Sequence, residues 1–179
     1  MYLVLMTIVC LQAVHAQDVF ITRHGQISFF SKTPIENIDA LDNEAASVIN
    51  IKTGEIGFAV LIKSFHFERA LMEEHFNENY MDSDKIPKAS FKGKINNLSA
   101  VNFSKDGSYE VAAEGDLTIH GVTQKIKIAG TIVVKGGLPQ VLAKFKIVPK
   151  DYNIKIPALV ADKIAETMNV SVDCKYEKK

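Results

Sequence analysis

The sequence predicts a chain dominated by β-structure: about eight antiparallel strands, closed as a barrel or packed as a sandwich, with one or two short helices. Three observations carry this. Apolar and polar residues alternate with a period of two through most of the chain after residue 17. Pairs such as His120-Gly121 and Gly136-Gly137 punctuate the alternation where tight hairpins need a left-handed backbone. One stretch alone changes period: Leu71, Met72, Phe76 and Tyr80 recur every three to four residues, as on a helix.

Taken in order, residues 1–16 carry no charged side chain and are mostly apolar, with Val14-His15-Ala16 before a plausible cut. They read as a secretory signal peptide, too short to span a bilayer, with the mature chain starting near Gln17. Val19 to Thr22 and Ile27 to Phe30 are expected as two strands joined by a turn at His24-Gly25. Thr33 to Asn43, with Pro34 and several acids, reads as a loop or short helical turn, and Ala46 to Ile51 as the next strand. Glu55 to Lys63 alternates, with Ile56, Phe58, Val60 and Ile62 on one face. Ser64 is expected to cap a helix running to Tyr80, and Ile86-Pro87 to stop it. In the strand from Ala89, residues Phe91, Gly93 and Ile95 face inward. Asp106-Gly107 is expected as a hairpin turn. Tyr109, Val111, Ala113, Gly115, Leu117 and Ile119 then share a face, followed by Val122, Ile126, Ile128, Gly130, Ile132 and Val134. Val141, Ala143, Phe145 and Ile147 form another inward face. Ile156 to Glu166 is a loop with a short helix, and Met168, Val170, Val172, Cys174 and Tyr176 close the pattern.

Composition narrows the function. Lys and Arg number 21 and so do Asp and Glu, with no basic stripe, which argues against nucleic acid as a partner. The mature chain has no apolar run long enough for a transmembrane segment. No phosphate loop, dinucleotide fingerprint, nucleophile elbow or Cys-x-x-Cys is present, so no cofactor is predicted. His66 and His75 are nine residues apart and would not converge on one helix. His75 with Glu78 reads as a solvated pair rather than a metal site, and no metal is predicted. Cys174, on an apolar face, reads as an inert core thiol.

The inward faces mix bulky groups with Gly93, Ala113, Gly115, Gly130 and Ala143. Small inward residues leave room either for a ligand or for the helix, and the pattern alone leaves both open.

Two segments carry a family resemblance. One runs from Ser64-Phe65-His66-Phe67 through Leu71-Met72-Glu73-Glu74-His75-Phe76 to Ser83-Asp84-Lys85-Ile86-Pro87-Lys88-Ala89-Ser90-Phe91. The other is Gly115-Asp116-Leu117-Thr118-Ile119-His120-Gly121-Val122-Thr123. Together they resemble the YceI-like family of bacterial, usually periplasmic, lipid-binding proteins. The likeness extends over nearly all of residues 17–179, which are expected to form one domain. It implies an extended, lipocalin-like, eight-stranded antiparallel β-barrel with an apolar tunnel, although the chain has no tryptophan, unlike true lipocalins. It also implies a polyisoprenoid, isoprenoid-quinone or fatty-acyl ligand, and no catalytic residue set.

Strand parity then nominates Phe29, Phe58, Val60, Phe91, Ile95, Tyr109, Val111, Ala113, Ile126, Ile128 and Phe145 as pocket residues. Phe67, Leu71, Met72 and Phe76 join them from the helix. A bulky residue at Ala113 or Gly115 is expected to displace the lipid from an intact fold. Open tunnel mouths make a homodimer conceivable. Two other readings stand beside the carrier: a secreted interaction or stress protein without cargo, and a lipid-modifying enzyme using His66, His75 or Glu74.

Overall fold

The computed structural model describes residues 18–179. The signal peptide expected over residues 1–16 lies outside the described residues. Eight strands form the barrel: β1 (Val19–Lys32), β2 (Asn37–Asn50), β3 (Glu55–Leu61), β5 (Lys88–Ile95), β6 (Gly107–Ile119), β7 (Val122–Lys135), β8 (Leu138–Ile147) and β9 (Met168–Lys175). Two short strands are appended, β4 (His66–Phe67) beside β2 and β10 (Glu177–Lys178) beside β1. Each barrel strand pairs antiparallel with its neighbours in the order β1-β9-β8-β7-β6-β5-β3-β2, and β2 returns to β1 to close the ring. The fold class is therefore the expected one. Closure satisfies the edges that an open sheet would leave unpaired.

The hairpin chemistry works as anticipated at two turns. His120 and Gly121 take φ of 49° and 75° between the paired residues Ile119 and Val122. Gly136 and Gly137 take 58° and 76° between Lys135 and Leu138. Two consecutive positive φ values match the right-handed twist of the flanking strands.

Four local expectations differ from the structure. His24-Gly25 is not a turn: Val19 to Lys32 is one strand, and the register shifts on either side of Gly25 mark a bulge. A Cβ at Gly25 would run into the Cys174 sulfur, so glycine lets β1 bend over β9 there. Only the Thr33–Glu36 turn separates β1 from β2; there the Glu36 N–H donates to Thr33 Oγ1 at 3.0 Å. Asn37 to Asn43, expected as loop, belongs to β2. Its inward face includes Ala40 and a fully buried Asp42, which breaks the apolar alternation.

Asp106-Gly107 does not join adjacent strands. Residues 96–106 form a longer connection, and the Asp106 carboxylate accepts the Gly136 N–H at 2.8 Å, tying it to the neighbouring hairpin. Finally, Ser64 does not cap the helix; it lies in the 3-10 turn Ile62–Ser64 and donates to the Leu61 carbonyl at 2.7 Å. Helix α1 (Ala70–His75) starts later because His66 and Phe67 are drawn into β4 opposite Leu41 and Ala40. It continues into a π-helical turn, Phe76–Tyr80. That turn is ended by Asp82 at φ 45°.

The two ends of the barrel are packed differently. At the end of the Gly136-Gly137 hairpin the interior is filled by Phe20, Ile49, Ile56, Ile95, Ile132, Val134 and Val141. Tyr176 reaches into this end and is 4% exposed. Ser47 donates to the Gly57 carbonyl at 2.8 Å, so the Tyr176 hydroxyl is the donor in its 2.6 Å contact with Ser47. Burial raises the pKa of the Tyr176 phenol. Cys174 is fully buried, and burial, with Asp173 and Asp42 nearby, pushes its thiol up to about 12. That agrees with an inert core thiol.

Gly93 and Gly115 face one another across β5 and β6. A Cβ on Gly93 would lie 2.7 Å from the Glu114 carbonyl oxygen, and one on Gly115 would overlap the Lys92 carbonyl. These glycines permit close backbone approach, and the expectation that Gly115 offers room for a bulky side chain is corrected accordingly. Gly115→Ala is expected to cost about 2–4 kcal/mol of stability in urea unfolding, against less than about 1 kcal/mol for Ala113→Val. Equal costs at the two sites would contradict this account of the glycine pair.

Candidate functional site

The other end of the barrel is open inside. A cavity of about 520 Å³ runs inward from it, walled almost entirely by carbon. That volume is within the range of roughly 300–1,000 Å³ common for small-molecule sites. Strand parity explains its lining. Phe58 and Val60 follow from β3, with Ile62 from the turn after it; Val111, Ala113, Leu117 and Ile119 from β6; Ile128 and Gly130 from β7; Ala143, Phe145 and Ile147 from β8; and Met168, Val170 and Val172 from β9. Where three neighbouring strands present Val111, Gly130 and Ala143 in register, the wall is thin in side-chain volume and the cavity reaches deepest into the ladder.

The helix closes one side without filling the interior. No residue of α1 or the π turn is fully buried, because Leu71, Met72, Phe76 and Tyr80 turn their apolar stripe toward the cavity. Aromatic packing anchors it. The Phe76 ring centroid lies 5.4 Å from Phe29, 5.9 Å from Phe65 and 5.0 Å from Phe67. The Glu73 carboxylate accepts the Phe67 N–H at 3.1 Å, and Asn77 Nδ2 donates back to the Glu73 carbonyl at 2.9 Å. After the helix, Lys63 bonds to Asp84 at 2.5 Å, which lowers the Asp84 pKa.

Polar groups gather at the mouth. Glu36, Arg69, His75 and Lys163 border the cavity, and Arg69 is paired with Glu36. Tyr80 also lines it, and burial raises its phenol pKa. The segment 149–164 supplies the far rim through Pro149, Ile154, Ile156, Val160 and Ile164. It is held by Gln124 Nε2 donating to the Asp151 carbonyl at 3.0 Å and by the 3.3 Å contact of His120 Nδ1 with the Tyr152 carbonyl.

Of the side chains nominated from the sequence, Phe29, Phe58, Val60, Phe67, Leu71, Met72, Phe76, Phe91, Val111, Ala113, Ile128 and Phe145 line this cavity. Ile95, Tyr109 and Ile126 do not, although they share the inward parity. Ile95 is 2% exposed within the filled core, against which Tyr109 and Ile126 pack. The Tyr109 hydroxyl turns away to the Lys105 carbonyl at 3.0 Å.

Parity assigns a face but not a depth, which accounts for Ile95 and Tyr109; Ile126, paired with Gly115 on the mouth side of Ile128, is not separated from the lining by depth. Not among those nominated are Ile38, the rim residues 149–164, and inward wall residues such as Leu117, Ile119, Ala143, Ile147, Met168, Val170 and Val172. Ile38 was hidden in a stretch read as loop, whereas the spacing of Ile154 and Ile156 was a visible signal. His66, His75 and Glu74 form no acid–base constellation. All three are exposed, and His66 Nδ1 is 3.5 Å from Glu73 instead. Among the described residues no group of three or more His, Cys, Asp or Glu is arranged to hold a metal ion.

Fold and site define a class: a closed antiparallel barrel with an apolar cavity entered from one end. A family model for the YceI-like domain matches residues 12–176, and the chain belongs to that family. Solved structures with the same fold include a polyisoprenoid binding domain from Saccharophagus degradans implicated in plant cell wall breakdown. It shares 13% identity at a TM-score of 0.78, over 92% of this chain and all of that one. BcnA of Burkholderia cenocepacia aligns at 13% identity and a TM-score of 0.70, over 86% of this chain and 96% of that one. The YceI protein of Campylobacter jejuni aligns at 18% identity and 0.62, over 83% and 90%. At these identities the likeness establishes the fold. None of the curated proteins compared matches the chain.

The aromatic anchor yields a prediction. Phe76→Ala is expected to cost about 1–3 kcal/mol, less than a fully buried phenylalanine because the ring is half-buried. Amide exchange should accelerate over residues 70–81 while β6 and β7 stay protected. Unchanged exchange in the helix would show that the ring cluster does not hold it.

Proposed function

We propose that this protein binds one apolar long-chain lipid, of the polyisoprenoid, isoprenoid-quinone or fatty-acyl type, inside the barrel, for transport or storage. The observation that carries this reading is the 520 Å³ cavity, whose wall is hydrocarbon from the deep Val111-Gly130-Ala143 level to the rim and whose polar groups sit at the mouth. The relative from Saccharophagus degradans, described as a polyisoprenoid binding domain, supports it.

No chemistry is needed for such a role. Each methylene taken from water contributes about 0.8 kcal/mol, so ten contribute roughly 8 kcal/mol before the costs of association. The chain of the lipid lies along the cavity and its polar head stays near Glu36, Arg69, His75 and Lys163. The nominated residues that line the cavity are the proposed contacts. Export through the segment 1–16 would put the carrier in the periplasm or outside the cell, where an apolar lipid needs shielding from water. The exposed and dispersed positions of His66, His75 and Glu74 favour binding over lipid modification.

Filling the cavity tests the proposal. Ala113→Phe and Ala143→Phe each place a ring in open space, so both should fold with wild-type β-sheet spectra. Each is expected to take up a detergent-dispersed polyprenol or ubiquinone at least tenfold more weakly than wild type, as the lost apolar burial implies. Undiminished uptake by both folded variants would move the binding site elsewhere, and no uptake by the wild type would sink the carrier reading.

A further inference from the structure

Exposed apolar side chains scattered over a surface need no explanation, but their gathering at one place does. The three most exposed large hydrophobic side chains among the described residues are Leu159 at 91%, Ile35 at 60% and Leu71 at 60%. All belong to the mouth. Leu71 itself borders the cavity. Ile35 precedes Glu36, which lines the cavity and pairs with Arg69 of the helix approach. Leu159 precedes Val160, another lining residue, in the 3-10 turn Ala158–Val160. Three separate segments thus each hold a bulky apolar group out into solvent beside the opening. The opposite end has no such ring; its exposed Leu138 belongs to the Gly136-Gly137 hairpin at the far end of β8.

We propose that the mouth rim docks on a lipid bilayer, with Ile35, Leu71 and Leu159 entering its apolar boundary. The proposal rests on the carrier reading above and adds where the cargo is exchanged. The rim is continuous with the cavity wall, so a lipid chain passes from one apolar phase to the other without crossing water. Prongs on three independent segments around an opening suit a fluid partner better than a shaped protein surface, which would require one continuous patch. The rim segments carry charges of both signs, Glu36, Glu68, Glu74 and Asp162 against Arg69, Lys155 and Lys163, with Arg69 paired to Glu36. Docking is therefore expected to need no anionic lipid and to change little with salt.

The chain contains no tryptophan, so one introduced residue reports alone. Leu159→Trp and Ile35→Trp are mixed with phosphatidylcholine vesicles, with Leu138→Trp as the far-end control. The expected result is a blue shift of emission for the first two, none for the third, and no loss of the shift on adding salt. The double variant Ile35→Ser, Leu159→Ser should move a fluorescent polyprenol between donor and acceptor vesicles at least about tenfold more slowly, since burial of even one of these two side chains changes partitioning by about that factor. Its uptake of detergent-dispersed polyprenol should be retained, as neither residue lines the cavity.

An absent shift at both rim positions, or an equal shift at Leu138→Trp, overturns membrane docking. So does a shift that appears without vesicles and grows with protein concentration, which would reveal a homodimer joined through the mouths. Detergent-dispersed uptake by the wild type separates the two readings. Uptake without a vesicle shift removes docking and leaves the carrier, whereas a vesicle shift without uptake supports docking and removes the carrier.

Discussion

Strand β1 is hydrogen-bonded along both edges, to β2 on one side and β9 on the other, and this double pairing closes the sheet. Without it the remaining strands would form an open, twisted sheet with two exposed edges and no interior. Closing the ring requires β1 to bend, and the bulge at Gly25 provides the bend where Cys174 of β9 and Ala45 of β2 crowd beneath it. The first and last barrel strands are thereby locked, and the space they enclose has a fixed width.

That fixed width gives a closed floor and an open chamber in one molecule. At the filled end large aliphatic groups meet, and Ile49 and Ile132 have no exposed surface. Toward the other end the inward positions pass to Ala113, Gly130 and Ala143, and side-chain volume no longer fills the ring. The helix could have supplied the missing volume but instead is pinned to the wall through the Phe29, Phe65, Phe67 and Phe76 rings. Its remaining apolar stripe borders the chamber. Hydrocarbon within that chamber would gain the contacts the wall lacks. Among the described residues no helix is long and apolar enough to cross a membrane.

Much of this was legible in the sequence, because a half-buried strand writes its orientation every second residue. The β6–β7 and β7–β8 hairpins were readable down to their turn residues, since His120-Gly121 and Gly136-Gly137 are among the few pairs able to take such a backbone. The start of the chain was less legible. A buried acid, Asp42, stands where an apolar residue would have marked β2; its Oδ1 accepts the Glu44 N–H at 2.9 Å, and burial raises its pKa. His24-Gly25 uses turn-forming residues for a bulge, and a local pattern does not distinguish the two. Asp106 likewise spends its turn chemistry on Gly136, thirty positions away. The helix began late because β4 pairs with β2, a long-range contact that outweighs the capping preference of Ser64. Depth within the barrel was the remaining gap: Ile95 and Phe91 share a face, yet only Phe91 meets the cavity.

The central claim is that the chamber holds one apolar lipid. It is tested most directly by extracting protein purified from its native host with organic solvent and identifying the extract by mass spectrometry. The account predicts one isoprenoid, quinone or acyl species in near-stoichiometric amount. A bare extract, together with no uptake of such lipids when they are added to the stripped protein, would contradict it and turn attention to the chain as an interaction protein.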